Sequence, residues 1–156
     1  MNWGLAEILL ALLASLLLLA AVLDLRSRTI PNPLNLAIAL LAVPFWWATG
    51  LSLWPDAALQ LALGAGVFML FALAFRIGWM GGGDVKMLAA IALWLPPQAL
   101  MVLLLVMSLA GGALTVAMMI RKRIARAEGA VQVPYGVAIA FGGLWLIGER
   151  ILNQFG

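Results

Sequence analysis

The chain has 156 residues, 66% hydrophobic and 10% charged, with a mean hydropathy of +1.14 and a formal net charge of +3. That balance excludes a water-soluble domain of this length and predicts an integral membrane protein. Histidine and cysteine are both absent, which removes Ser-His and Cys-His nucleophile systems, HExxH zinc sites, CxxC redox pairs and cysteine zinc clusters.

Leu5 to Leu23 is apolar except for Glu7 and Ser15, and Glu7 stands where a secretory signal would carry basic residues, so this segment is read as a retained first span. Spans 2 and 3 are expected at Leu34–Ala48 and Ala57–Phe75, and a last one at Tyr135–Leu152. Between them, Met87 to Ile120 carries no charge. As one helix it would be roughly 50 Å long at about 1.5 Å per residue, and Pro96-Pro97 interrupts it. Two helices joined by a prolyl turn fit better. The expected architecture is a single integral membrane domain over 1–156: an all-α membrane protein with six transmembrane helices and a glycine-rich break before the fourth.

Charge supports that division. Arg26 and Arg28, then Arg76 and Lys86, then Arg121, Lys122, Arg123 and Arg126 form three basic clusters, and the positive-inside rule places all three in the cytoplasm. Six spans satisfy this with both termini, the Ser52–Asp56 turn and the Pro96-Pro97 turn outside. Arg150 alone falls on the other side, where it is expected to pair with Glu149 or to snorkel. No basic patch interleaved with aromatics points to nucleic acid.

With histidine and cysteine gone, carboxylates carry whatever chemistry there is. Glu7 and Glu149 lie near outer span ends, Asp56 in an external turn and Glu128 in a basic loop. Asp24 closes span 1, in VLDLRSRTIPN, and Asp84 opens span 4, in GWMGGGDVKM, so the two share one membrane depth. A carboxylate at a helix C-terminus opposes the helix dipole, so helix stability alone does not explain Asp24; its plainer reading is an interfacial boundary residue. For Asp84 the plain reading is an N-cap for a helix Val85–Leu95, with Gly81-Gly82-Gly83 as a permissive turn. Taken together, two carboxyl groups at one depth can share a proton, leaving one base and one acid, which is what activating water against a peptide carbonyl requires.

These residues resemble a known family. Gly81-Gly82-Gly83-Asp84 matches the GxGD signature of membrane aspartic proteases, and Asp24-Leu25-Arg26 with Ile30-Pro31-Asn32 is similar to the first-aspartate segment of the prepilin (type IV leader) peptidases. Pro134-Tyr135-Gly136-Val137-Ala138 resembles a third block of that family. The resemblance implies Asp24 and Asp84 as the catalytic pair, with Gly81 and Gly83 giving backbone room for an extended substrate. It also implies Lys86 as a neighbour able to tune Asp84, and Pro134 and Tyr135 as walls of a substrate groove. The alternative for Lys86 is an inside-facing topological charge, and for Pro134 and Tyr135 a helix start with proline in its first turn.

The family's long members add a four-cysteine zinc domain and methylate the pilin's new amino terminus. This chain looks like the short, peptidase-only form found with Flp-type (Tad) pili, an archaeal preflagellin peptidase being the nearest confusable relative. The implied partners are prepilins or pseudopilins and the lipid bilayer, in the inner (cytoplasmic) membrane. No metal or cofactor is implied. Leu25–Leu34 and Arg121–Val133 are expected to cover the site. A different class remains open at this point: a small proton-coupled transporter, or a subunit of a membrane complex, could place two aspartates near one face beside a glycine-broken span. A phosphate loop is excluded, because GxxxxGK[ST] is missing and no strand precedes the glycines.

Overall fold

A computed structural model describes residues 4–125 and 133–155, and these form six α-helices with no strand among them. Helix α1 (Leu5–Ser27) is free of glycine and proline, starts behind Gly4 with Glu7 in its positive first turn, and stops where Arg28 adopts a left-handed conformation (φ 55°). The Arg28 N–H closes back onto the Asp24 carbonyl at 3.0 Å. Helix α2 (Asn32–Ala48) opens behind Pro31 with Pro33 in its first turn, where a missing N–H breaks no helical bond. A wide turn, Leu53–Ala57, leads into α3 (Ala58–Arg76). Helices α4 (Gly82–Ala92), α5 (Pro97–Ala125) and α6 (Tyr135–Phe155) complete the chain.

Helix α4 packs against α2, α3 and α6, while α1 packs against α2 and α6 and α5 lies along α6. The resulting core is built from fully buried side chains on five of the helices: Leu17, Ile38, Met87, Leu88, Ile91, Leu103 and Ile139. Glycine sets one of the close approaches. A Cβ on Gly143 of α6 would stand 2.7 Å from Leu17 of α1, so these helices touch at that level only because position 143 has no side chain. The outside is apolar as well: Leu18, Leu40, Leu61, Leu70 and Leu105 are each more than half exposed, as lipid-facing residues are.

Four segments are long and apolar enough to cross a membrane: α1, α3 with its leading turn, α5 and α6. The 17-residue α2 is a shorter apolar helix. The 11-residue α4 reaches only about 16 Å at 1.5 Å per residue, about half of a hydrocarbon core. Its expected extent, Val85–Leu95, is therefore shifted. It starts three residues early because the glycines join the helix, and it stops at Ala92 because two indoles seize the chain beyond. Trp46 Nε1 donates to the Leu93 carbonyl at 2.8 Å, and buried Trp94 donates to the Ile38 carbonyl at 2.9 Å while its ring lies 4.8 Å from that of Phe45. The turn before Pro97 is thereby held against α2. Arg150 stacks over the same Phe45 ring, 5.1 Å from its centroid, so this outlying cation is held by an aromatic face. Arg121, Lys122 and Arg123, expected in a loop, extend α5 by a further turn. Arg126, Glu128 and the rest of that expected loop up to 132 lie outside the described residues.

Candidate active site

Asp24 and Asp84 come together. Asp24 sits in the last turn of α1 and Asp84 in the first turn of α4, 4% and 9% exposed respectively, so neither behaves as an ordinary surface carboxylate. The two carboxylates interact electrostatically, and the Gly136 N–H at the start of α6 lies in reach of both. The adjacent N–H of Val137 donates to Asp24 Oδ2 at 3.2 Å. Arg28, placed by the left-handed turn that ends α1, is the cation that acts on Asp24.

The N-cap reading of Asp84 does not hold. Gly81 occupies the cap, and Asp84 is the third residue of the helix, with its carboxylate curled back toward the Gly81 N–H. This is the backward reach of a third-position acid in a capping box. A Cβ at 81 would stand 2.8 Å from Asp84 Oδ2, so a side chain there would push the carboxylate out of this position. Gly83 has a different neighbour. Its absent side chain makes room for Ile30, whose Cβ and backbone lie 3.3–3.4 Å from where a Cβ would be. Ile30 is buried, and its Cδ1 comes within 2.7 Å of a Cβ placed on Gly136. The segment after α1 thus drives one side chain between the two glycine-bearing helix starts.

The other expected residues divide. Pro134 is buried at the entrance to α6, whereas Tyr135 turns its ring toward Gly111 of α5. Lys86 is not drawn to the dyad; its Nζ donates to Asn32 Oδ1 at 2.8 Å. Two residues further along a helix points a side chain about 200° away, which puts Lys86 and Asp84 on different sides of α4. Sequence reasoning placed Gly136 and Val137 in a resembling block without giving them a part in the site, and it missed Asn35. Asn35 is 4% exposed, and its Nδ2 donates to the Gly83 carbonyl at 3.0 Å, fixing the glycine turn to α2. A lone amide one turn after Asn32 in an apolar helix was the signal that could have found it. Among the described residues no group of three or more acidic side chains is arranged to hold a metal ion.

A profile of the type IV leader peptidase family matches residues 11–116, from the middle of α1 to most of α5, and so includes both aspartates and the glycine turn. The chain belongs to the type IV leader peptidase family. It is thus a protease of the prepilin-processing kind, set in a membrane by its four long apolar helices. The match ends before α6, so the part played by Pro134–Val137 rests on the contacts just described. No curated protein and no solved structure matches the chain.

Proposed function

We propose that this leader peptidase is an aspartic endopeptidase whose reacting groups are Asp24 and Asp84. The observation that supports it is the meeting of two buried carboxyl groups, from separate helices, under the amides that open α6. One ionised carboxylate takes a proton from water as the oxygen attacks the scissile carbonyl, and the protonated partner donates to the carbonyl oxygen. Collapse of the tetrahedral intermediate breaks the C–N bond, the departing nitrogen takes up a proton, and one water has been added across the peptide.

In this reading six helices traverse or enter the bilayer with both termini outside. The dyad stands at the cytoplasmic edge of the inner membrane, where water and a hydrophilic leader are both available. The substrates are prepilins or pseudopilins of the Flp type, as resemblance to the short form suggests. Gly81 leaves room for the Asp84 carboxylate to curl back and Gly83 leaves room for Ile30, rather than for an extended substrate, and Pro134 with Tyr135 fixes where α6 begins. Lys86 serves the junction of α4 with α2.

The decisive experiment is conversion of a co-expressed Flp-type prepilin. Asp24→Asn and Asp84→Asn keep side-chain size but cannot share a proton, so each is expected to abolish conversion while the protein still accumulates in the membrane. Asp56→Asn, in the turn before α3, leaves conversion nearly intact. Cleavage by both asparagine variants at the unaltered rate defeats the dyad and returns the site to a transporter or a subunit of a complex.

A further inference from the structure

Lys86 is the one charged residue of the glycine turn that stands apart from the two aspartates. Its only hydrogen-bond partner among the described residues is Asn32 Oδ1, and no carboxylate accompanies it. Beside it, a groove of about 520 Å³ runs between α2, α3 and α4. Leu36, Ala39, Phe68 and Ala90 form its apolar wall, and Asn32 with Lys86 forms its polar end. Leu36 and Phe68 are 58% and 44% exposed, so the groove opens outward from the bundle among exposed apolar side chains. Since Lys86 and Asp84 leave α4 on different sides, an occupant here does not enter the catalytic centre.

We propose that this groove binds one anionic phospholipid, its phosphate on Lys86 and Asn32 and one acyl chain along the apolar wall. The charge pattern selects that occupant. An exposed ammonium without an acid partner, at one end of an apolar groove in a membrane protein, is complementary to a headgroup that is negative as a whole. Asn32 already accepts from Lys86 through Oδ1, which leaves its Nδ2 hydrogens to donate to phosphate oxygens. A zwitterionic lipid brings its own ammonium against Lys86 and is disfavoured. The occupant reaches the active site through one bond: Asn35, a buried residue of the groove's lining, holds the Gly83 carbonyl. A lipid joining Asn32 to Lys86 therefore fastens the start of α2 to the turn that carries Asp84. The inference rests on the groove and its cation and stands whether or not Asp24 and Asp84 are the reacting groups.

The test is native mass spectrometry of the full chain, released from detergent after delipidation and titrated with phosphatidylglycerol or with phosphatidylcholine of the same acyl chains. One phosphatidylglycerol is expected to bind at least tenfold more tightly than phosphatidylcholine. Lys86→Met and Asn32→Asp are expected to erase that preference, the second by adding a repelling charge, while Lys86→Arg keeps it. Ala39→Phe fills the groove with the cation intact and is expected to lose the lipid, with thermal melting confirming that each variant is folded. Equal binding of the two lipids overturns the proposal, as does undiminished phosphatidylglycerol binding by folded Lys86→Met or Ala39→Phe. Displacement of the lipid by millimolar inorganic phosphate also overturns it, since the acyl chain would then contribute nothing. Cross-linking of a prepilin's apolar segment to Leu36→Cys, with lipid binding indifferent to Lys86, would assign the groove to peptide instead.

Discussion

The backbone N–H of Val137 donates to Asp24 Oδ2 at 3.2 Å, tying the first turn of the last helix to the last turn of the first across more than a hundred residues of chain. Asp24 stands at a helix end whose own dipole opposes a negative charge, and the opening turn of α6 supplies the opposite field. The position that would be unfavourable in an isolated helix is thus compensated by another helix.

Gly136 tests that relationship most directly. Alanine in the first turn favours a helix over glycine by about 0.5–1 kcal/mol, so Gly136→Ala does not weaken α6 by propensity. Its Cβ would nevertheless stand 2.8 Å from Asp24 Oδ2 and 3.0 Å from Asp24 Cγ, forcing the carboxylate aside. On the proposed mechanism, displacement of Asp24 by a fraction of an ångström to an ångström is expected to lower kcat by about 10²-fold, with normal accumulation in the membrane. A single-turnover assay on purified variant measures it. Retention of full activity would show that Asp24 needs no fixed position beneath α6.

Topology was read from three basic clusters and can be checked by reporter fusions. Fusions after Arg28, Arg76 and Arg126 are expected to report cytoplasm, and those after Pro55 and Pro97 the outside. A cytoplasmic result at Pro97 would make α4 a re-entrant segment that returns to its own side.

Chelators and thiol or serine-directed reagents are expected to leave cleavage in liposomes intact, because the chain offers no histidine or cysteine and the dyad needs only water and two carboxyl groups. Loss of activity in a chelator, restored by one divalent metal, would contradict a dyad acting alone.

The two indole contacts at the end of α4 predict a contrast in stability. Trp94→Ala removes a buried ring and its bond to the Ile38 carbonyl, and is expected to destabilise by roughly 3–5 kcal/mol. Trp47→Ala, at a side chain 79% exposed, is expected to change stability by less than about 0.5 kcal/mol. Unfolding titrations in mixed detergent micelles distinguish the two.

What the sequence made legible follows from where its signals are local. Apolar length placed α1, α3 and α6, the proline pair placed the turn before α5, and the rarity of carboxylates singled out Asp24 and Asp84. The end of α4 was illegible, because Ala92 is followed by residues as apolar as those before it. The chain turns there for the sake of carbonyls and indoles more than forty residues apart in sequence. Lys86 shows a related limit: adjacency in GGGDVK leaves both a site role and a topological charge open, while the helix that begins at Gly82 separates residues 84 and 86 around its axis. The roles of Gly136 and Asn35 depend on tertiary contact: a resembling block and a lone amide mark the two positions along the chain, but not that one meets Asp24 and the other the Gly83 carbonyl.

The shortness of α4 has a mechanical meaning. Backbone that leaves a helix at membrane depth must find partners within the protein, and at Leu93 and Trp94 the indole contacts and the packing on α2 provide them. One end of α4 is accordingly pinned. The other end begins in consecutive glycines, yet it too is held, by the Asn35 amide on the Gly83 carbonyl and by Ile30 packed beside Gly83. A short rod fastened at both ends cannot pivot about either. The level of Asp84 is therefore set jointly by α2 and by the segment that follows Asp24, and any shift of α4 has to carry both along.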